Sequence, residues 1–245
     1  MNLYPAIDLL EGKLVRLERG AREAATVYDL APVEAVRRFA EAGARWLHVV
    51  DLNRAFGDGS SNVETVRQVV EEASRKGMRV QVGGGLREPE DLEAVFTCGA
   101  ARVVLGTVAA VNPGLMVGLL ERFGGRVAVA IDVKEREVVV RGWTQSTGRA
   151  AAELAGELTR MGVKRIVYTD VGRDGLLGGP DVKGAAALAK ATGLSVILSG
   201  GVGSLEHVTE AAKAGLDGLV VGKSIYDGRI DVASAIAAAG AQEAT

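Results

Sequence analysis

Short apolar runs alternate with longer amphipathic stretches along the whole chain. The apolar runs are rich in valine, isoleucine and leucine without strict polar alternation, which is typical of strands covered on both faces. The pattern predicts eight such strands, at 3–7, 46–50, 79–82, 102–105, 126–131, 164–168, 195–198 and 218–221.

Amphipathic stretches with helical spacing separate the predicted strands. Pro32 begins one of them, and Val33, Val36 and Phe39 recur at a spacing of three residues. Several of the stretches end at a glycine that is suited to a helix C-cap. The further predicted helices are 62–75, 88–97, 113–123, 150–161, 182–191, 204–214 and 231–239.

Eight strand–helix units share 245 residues, which gives about 31 residues to each unit. This is the size of a (β/α)8 barrel, and it predicts an α/β fold with a single TIM-barrel domain over 1–245. A doubly wound open sheet is the alternative. Strict alternation without an edge strand or a separate lobe favours the barrel.

Four landmarks recur in order in the second half of the chain, at offsets of roughly 116 to 124 residues. Such a repeat predicts two similar half-barrels, about 1–122 and 123–245. The matching segments are Pro5-Ala6-Ile7-Asp8 with Val129-Ala130-Ile131-Asp132, 47–51 with 166–170, Gly84-Gly85-Leu86 with Gly200-Gly201-Val202, and 104–107 with 220–223.

Composition and charge exclude several classes of protein. The net charge is −2 with no basic block, which argues against a nucleic-acid partner. The single cysteine, Cys98, has no partner for a disulfide, and with two histidines it makes a poor metal set, so we expect no metal. Without a signal peptide or a long apolar run, we expect a cytoplasmic protein that does not bind membranes, and nothing in the sequence demands more than a monomer.

Aspartates follow several of the predicted strands, at the end of a barrel where active sites lie. Asp8 ends strand 1 and Asp132 ends strand 5, so the two carboxylates should face each other across the barrel mouth. Two opposed carboxylates suit general acid–base chemistry on a ligand between them. Asp51 and Asp170 also end strands, and for any single aspartate the alternative is a loop or turn cap.

Glycine makes up 33 of the 245 residues, and part of the excess follows strands 3, 4, 7 and 8. Glycine lets backbone N–H groups approach an anion closely, and the loops after strands 7 and 8 commonly hold phosphate in this fold. The repeat predicts a second phosphate site, and hence a small-molecule substrate with a phosphate at each end. Tight turns without a ligand are the alternative. The candidate residues are Gly84, Gly85, Gly106, Thr107, Ser199, Gly200, Gly201, Gly222 and Lys223.

Other candidates lie in or beside the predicted loops. Arg16 and Arg19, in the long loop after strand 1, are candidates for contacting a phosphate or a carboxamide. His48, inside strand 2, either faces the site or packs in the core. Trp143, on a short hairpin after strand 5, either stacks on a heterocycle or packs on its own loop. The glycine-rich segment 172–180 is a candidate lid that would bring Asp174 inward.

These motifs together resemble one family over essentially the whole chain. They include Pro5-Ala6-Ile7-Asp8-Leu9, 47–52, Gly83-Gly84-Gly85-Leu86-Arg87, 130–132, Gly142-Trp143, 168–175, 199–202 and 221–223. The chain resembles the phosphoribosylformimino-aminoimidazole carboxamide ribotide isomerases of histidine biosynthesis. Its basic, alanine-rich segment 19–23 departs from the family pattern.

The resemblance implies an Amadori rearrangement of an aminoaldose to an aminoketose, without a cofactor, on a bis-phosphorylated substrate. It implies that Asp8 is the base that removes the C2 proton and that Asp132 is the acid that opens the furanose ring. Thr169 would hydrogen-bond near the sugar, and Asp174 would assist. One of the two aspartates should therefore have a raised pKa.

Other functions stay open from sequence alone. The chain could also isomerise phosphoribosylanthranilate, as dual-specificity relatives do. It could instead be the sister cyclase that forms imidazole glycerol phosphate, or a non-catalytic sugar-phosphate sensor.

Overall fold

A computed structural model describes residues 1–18, 21–57 and 61–240. Over these residues the chain forms twelve strands, eight of them parallel neighbours in a closed barrel. The strands are β1 Asn2–Leu10, β2 Lys13–Glu18, β3 Ala21–Val27, β4 Trp46–Asp51, β5 Arg79–Gly83, β6 Arg102–Leu105, β7 Val127–Lys134, β8 Glu137–Val140, β9 Gln145–Ala150, β10 Arg165–Asp170, β11 Ser195–Ser199 and β12 Gly218–Val221.

The barrel runs β1-β4-β5-β6-β7-β10-β11-β12, and β12 pairs with β1 to close it. This confirms the predicted TIM barrel and each of the eight predicted strands. It also sets β1 and β7 on opposite sides, since three strands separate them in either direction. The boundary between half-barrels stays a prediction.

Helices cover the outside of the barrel. The described helices are α1 Pro32–Glu41, α2 Leu52–Phe56, α3 Val63–Arg75, α4 Pro89–Thr97, α5 Thr107–Val111, α6 Pro113–Phe123, α7 Ala151–Arg160, α8 Val182–Thr192, α9 Leu205–Lys213, α10 Lys223–Tyr226 and α11 Val232–Ala239. The eight longer ones coincide with the predicted helices. Proline begins α1, α4 and α6, where its missing N–H costs no hydrogen bond. The short helices α2, α5 and α10 were not predicted.

Two antiparallel hairpins rise from opposite sides of the barrel. The sequence suggested a long loop after the first strand, but β1 instead pairs with β2, and β2 pairs with β3. The hairpin predicted after the fifth strand is confirmed as β8 and β9. Asp8 and Asp132 therefore do not end their strands, because hairpin pairing extends β1 and β7 two residues beyond them.

The main core lies between barrel and helices, where leucine, valine and isoleucine from both layers are buried. A second apolar cluster fills the barrel interior and includes Tyr4, Trp46, Val104 and Ile197. This filling closes the amino-terminal half of the barrel, and the carboxyl ends of the strands remain open as a cavity. No helix within the described residues is long and apolar enough to cross a membrane.

Candidate functional site

A cavity of about 270 Å³ opens at the carboxyl ends of the barrel strands. Almost every residue that the sequence singled out lines it, including those more than 100 positions apart. These are Asp8, Arg16, His48, Gly84, Gly85, Gly106, Thr107, Asp132, Trp143, Thr169, Asp174, Ser199, Gly200, Gly201, Gly222 and Lys223. Arg19 lies outside the described residues.

Asp8 points into this cavity from β1. One carboxylate oxygen, Oδ2, lies 3.4 Å from Nη1 of Arg16 on the neighbouring strand β2. The pKa of Asp8 is raised to about 6, chiefly by burial; the guanidinium of Arg16 opposes the rise and Asp174 adds to it. The result is a carboxyl group that titrates close to neutrality beside a fixed positive charge.

Asp132 occupies the matching position on β7. Nε1 of Trp143, on the hairpin turn, donates a hydrogen bond of 2.9 Å to its Oδ2. Burial again raises the pKa of Asp132 to about 6, and the hydrogen-bonding groups Trp143 and Thr169 oppose the rise. Thr169 is in register with Asp132 on the adjacent strand β10. The neighbours that hold this carboxyl are therefore neutral.

Both aspartates thus titrate near neutrality, where the sequence led us to expect only one raised pKa. The cause is shared: each carboxyl sits deep in the barrel mouth, where the ionised form loses hydration. A pair of groups with pKa values near 6 can exchange protons with a substrate at physiological pH.

Arg16 connects strand β1 with a loop that is distant in sequence. Its Nη2 donates to Asp174 of the segment after β10, and its Nη1 reaches Asp8. Asp174 is only 8% exposed and faces the cavity, as predicted for the candidate lid. The amine of Lys223 holds the same segment from the other side by donating to the carbonyl of Gly175 at 3.2 Å.

The glycines after β5 pack against the chain that follows β4. A Cβ on Gly84 would lie 2.3 Å from the carbonyl oxygen of Asp51, and one on Gly85 would lie 2.2 Å from that of Arg54. Both glycines have positive φ, which L side chains rarely adopt. Tight packing therefore explains these glycines in part, whether or not a phosphate binds there.

The loops after β6 and β12 have nearly the same backbone conformation. Gly106 has φ −105° and ψ −92° before α5, and Gly222 has φ −118° and ψ −96° before α10. Gly200 and Gly201, like the pair after β5, both have positive φ. The repeat seen in the sequence is thus matched by equivalent turns on opposite sides of the cavity.

Two strand-end aspartates have structural roles instead. Asp51 is buried, accepts from the backbone N–H of Arg54 at the start of α2, and holds the amide of Asn62 at 2.7 Å. Asp170 accepts from the backbone N–H of Gly172 and pairs with Arg173. Neither lines the cavity, so the capping interpretation is the right one for both.

Sequence reasoning missed two arginines that line the cavity, Arg87 and Arg141. The backbone N–H of Arg141 donates to the hydroxyl of Thr107 at 2.9 Å, which ties the β8 hairpin to one of the glycine loops. Arg87 ends the motif that begins at Gly83, and Arg141 stands two residues before Trp143. A cation adjacent to a glycine-rich loop was the available signal.

No group of three or more His, Cys, Asp or Glu side chains in the described ranges could hold a metal ion.

Known proteins match the chain over nearly its full length. A model of the family described as histidine biosynthesis protein matches residues 2–231. A protein from Moorella thermoacetica is 44% identical over 242 residues, covering 98% of both chains. One from Paramagnetospirillum magneticum is 47% identical over 239 residues, covering 97% of this chain and 98% of the relative. One from Granulibacter bethesdensis is 44% identical over 238 residues, covering 97% of each.

All three relatives carry the same name, 1-(5-phosphoribosyl)-5-((5-phosphoribosylamino)methylideneamino) imidazole-4-carboxamide isomerase. Residues 2–231, which the family model matches, include every barrel strand, both hairpins and all four glycine loops. The chain belongs to the family of histidine biosynthesis proteins.

Proposed function

We propose that this protein is an aldose–ketose isomerase of histidine biosynthesis. Its reaction is the Amadori rearrangement of the phosphoribosylformimino-aminoimidazole carboxamide ribonucleotide to the phosphoribulosyl product. One observation carries the proposal: two carboxyl groups with pKa values near 6 stand on opposite strands of one cavity. Relatives that match the chain from end to end carry the name of this isomerase.

The neighbours of the two aspartates favour different roles. Arg16 favours the ionised form of Asp8, so Asp8 is the better base. Asp132 is held by the indole of Trp143 and by Thr169, neither of which carries a charge, so we assign it the role of the acid. At pH 7 a group with a pKa near 6 is still about one-tenth protonated.

Proton transfers alone complete this reaction. Asp132 gives its proton to the ring oxygen of the aminoaldose, and the C1–O bond breaks to leave a protonated imine at C1. Asp8 then removes the C2 proton. The electron pair of the broken C2–H bond forms the C1–C2 double bond of the enaminol. A proton returns to C1 and the C2 hydroxyl loses one, so that the aminoketose forms with no net change in protons and no cofactor.

Further cavity residues would hold the substrate around these two groups. Thr169 stands beside Asp132 in register and can hydrogen-bond the opened sugar. Trp143 offers an aromatic face to the imidazole ring while its N–H holds Asp132. Asp174 is available to assist from its loop, where Arg16 fixes it.

The substrate is a small molecule with two phosphates, one for each pair of glycine loops. Lys223 supplies a positive charge near the loops after β11 and β12, and Arg87 and Arg141 supply it on the opposite side. Arg16 and Arg19 are further candidates for contacting the substrate. We propose that the protein works in the cytoplasm as a monomer, without a nucleic-acid or membrane partner.

The test measures the rate at which the wild type and Asp8→Asn convert the aminoaldose to the aminoketose, monitored by absorbance. We expect turnover by the wild type and a loss of about 10²- to 10⁴-fold in kcat for the variant, the usual contribution of a general base. Asp217→Asn is the matched control, because Asp217 pairs with Arg165 at the closed end of the barrel. It should retain activity.

An inactive wild type, or an Asp8→Asn variant with most of its rate, would contradict the proposal. The same assay with phosphoribosylanthranilate decides whether the enzyme accepts a second substrate.

A further inference from the structure

A row of polar side chains lies inside the barrel beneath the cavity floor. Gln81 of β5 and Tyr4 of β1 are almost fully buried, and Arg102 of β6 is 7% exposed. The guanidinium of Arg102 lies over the ring of Trp46, 4.4 Å from its centre. This row ends at His48, which lines the cavity.

The contacts along this row are directional. Nη1 of Arg102 donates to Oε1 of Gln81 at 3.0 Å and to the hydroxyl of Tyr4 at 3.4 Å. Nε2 of Gln81 lies 2.9 Å from Nδ1 of His48. An arginine carries five donors and no acceptor, so its partner on Gln81 must be the amide oxygen.

That requirement decides the protonation of the imidazole. With the oxygen of Gln81 facing Arg102, the amide NH2 group faces His48 and donates to Nδ1. Nδ1 must therefore be the unprotonated acceptor, and the proton of the neutral ring resides on Nε2. Because Nδ1 is occupied, Nε2 is the nitrogen left to meet a ligand.

The surroundings of His48 also favour the neutral ring. Its in-register neighbours on the two flanking strands are Ala6 and Gln81, neither of which titrates. Burial lowers the pKa of His48 to about 4. The ring is thus uncharged throughout the pH range in which the two aspartates exchange protons.

We propose that Gln81 and Arg102 are positioning residues that hold His48 as a neutral Nε2–H donor at the cavity floor. His48 there donates a hydrogen bond to an oxygen of the substrate, a hydroxyl or the carboxamide carbonyl. Only this last step rests on the proposed isomerase function. As a neutral donor, His48 neither abstracts the C2 proton nor supplies a charge for phosphate.

Nitrogen NMR of histidine-labelled protein without ligand tests the tautomer directly. The chain has two histidines, His48 and His207, so that two imidazole patterns are expected. His207 is an internal reference, because its Nδ1 accepts from the backbone N–H of Gly203 at 3.1 Å, away from this row. The wild type should show His48 with the proton on Nε2. A proton on Nδ1 of the wild-type ring would overturn the proposal.

Gln81→Glu tests the positioning role, since the new carboxylate accepts from both Arg102 and His48. We expect the proton of the neutral His48 ring to move from Nε2 to Nδ1 while the His207 pattern stays the same. We also expect kcat/KM for the aminoaldose to fall about 10-fold or more, because a buried hydrogen bond to substrate is lost. An unprotonated Nδ1 in this variant would contradict the proposal.

Gln81→Met removes the amide oxygen and the amide NH2 group at similar volume, and it serves as the test if the glutamate variant does not fold. We expect a mixture of His48 tautomers; a pure Nε2–H form would show that Gln81 does not set the tautomer. A wild type with the expected tautomer but no isomerase activity contradicts the proposed function and leaves the tautomer assignment standing.

Discussion

Asp8 and Asp132 occupy equivalent positions in the two hairpin-bearing strands of the barrel. Each lies opposite a valine of the following hairpin strand, Asp8 opposite Val15 and Asp132 opposite Val139. Burial raises both pKa values to about 6. The hairpins differ in what they bring to the carboxylate: a guanidinium on β2 in one case and an indole N–H beyond β8 in the other.

This comparison shows how a repeated backbone supports two different roles. The backbone places a carboxyl group at equivalent positions on both sides of the cavity, and burial raises the pKa of each. A single hairpin side chain then decides whether the ionised form has a cation beside it. Changing either hairpin side chain should therefore change one role and leave the other intact.

Among changes to the hairpin side chains, the largest effect is expected from Arg16→Met, which removes the cation beside Asp8. Without it the pKa of Asp8 rises further, and less of the base is ionised at any given pH. We expect kcat/KM at pH 7 to fall about 10- to 100-fold and the acidic limb of the pH–rate profile to move to higher pH.

Arg38→Met is the control, because Arg38 pairs with Glu34 on the exposed face of α1. It should leave the profile unchanged. An Arg16→Met profile with an unmoved acidic limb would show that Arg16 does not tune Asp8.

A second effect should appear in stability. A raised carboxyl pKa means that the folded state binds more protons than the unfolded chain between about pH 4 and 6, so stability falls as pH rises through this window. Asparagine avoids the cost of burying an ionised group. We expect Asp132→Asn to raise the free energy of unfolding at pH 8 by about 2 kcal/mol, and much less at pH 4.

Asp8→Asn should gain a similar amount at pH 8, because the pKa of about 6 for Asp8 already includes the effect of Arg16. Urea unfolding of the wild type and both variants at the two pH values measures the two gains. A gain at pH 8 no larger than the gain at pH 4 would mean that burial does not raise the pKa of that carboxyl group.

The smallest effect is expected from Trp143→Phe, which keeps an aromatic face and removes the N–H that bonds Asp132. The pKa of Asp132 should rise, so the acid stays protonated to higher pH and the alkaline limb of the profile shifts upward. We expect a change in kcat/KM of only several-fold at pH 7. A shift of the acidic limb instead would exchange the roles assigned to the two aspartates.

The barrel could be predicted from sequence because local signals agreed with the fold. Buried parallel strands appear as continuous apolar runs, and Gly77, Gly99 and Gly193 end helices with the positive φ that a C-cap needs. The β2–β3 hairpin could not be predicted in this way. Its strands include arginine, glutamate and alanine, so apolar alternation does not mark them, and β3 pairs with β2, which itself pairs with β1.

The site could be predicted in part for a similar reason. Asp8, Asp132 and the glycine loops were found because barrel geometry brings strand ends together, and the repeat marked them twice. The link from Arg16 to Asp174 could not be found, since it joins residues 158 positions apart through a hairpin and a loop. The hydrogen-bonded row from Tyr4 to His48 could not be predicted either, because strand periodicity does not show which polar side chains inside the barrel contact each other.

The contact of Gly84 and Gly85 with the backbone after β4 has a consequence for redesign. Any side chain at these positions would collide with carbonyl oxygens that cannot move independently of the barrel. Substitutions that aim to change the substrate therefore cannot be placed at Gly84 or Gly85. The freedom lies in the β2–β3 and β8–β9 hairpins, whose side chains can be varied without moving a barrel strand.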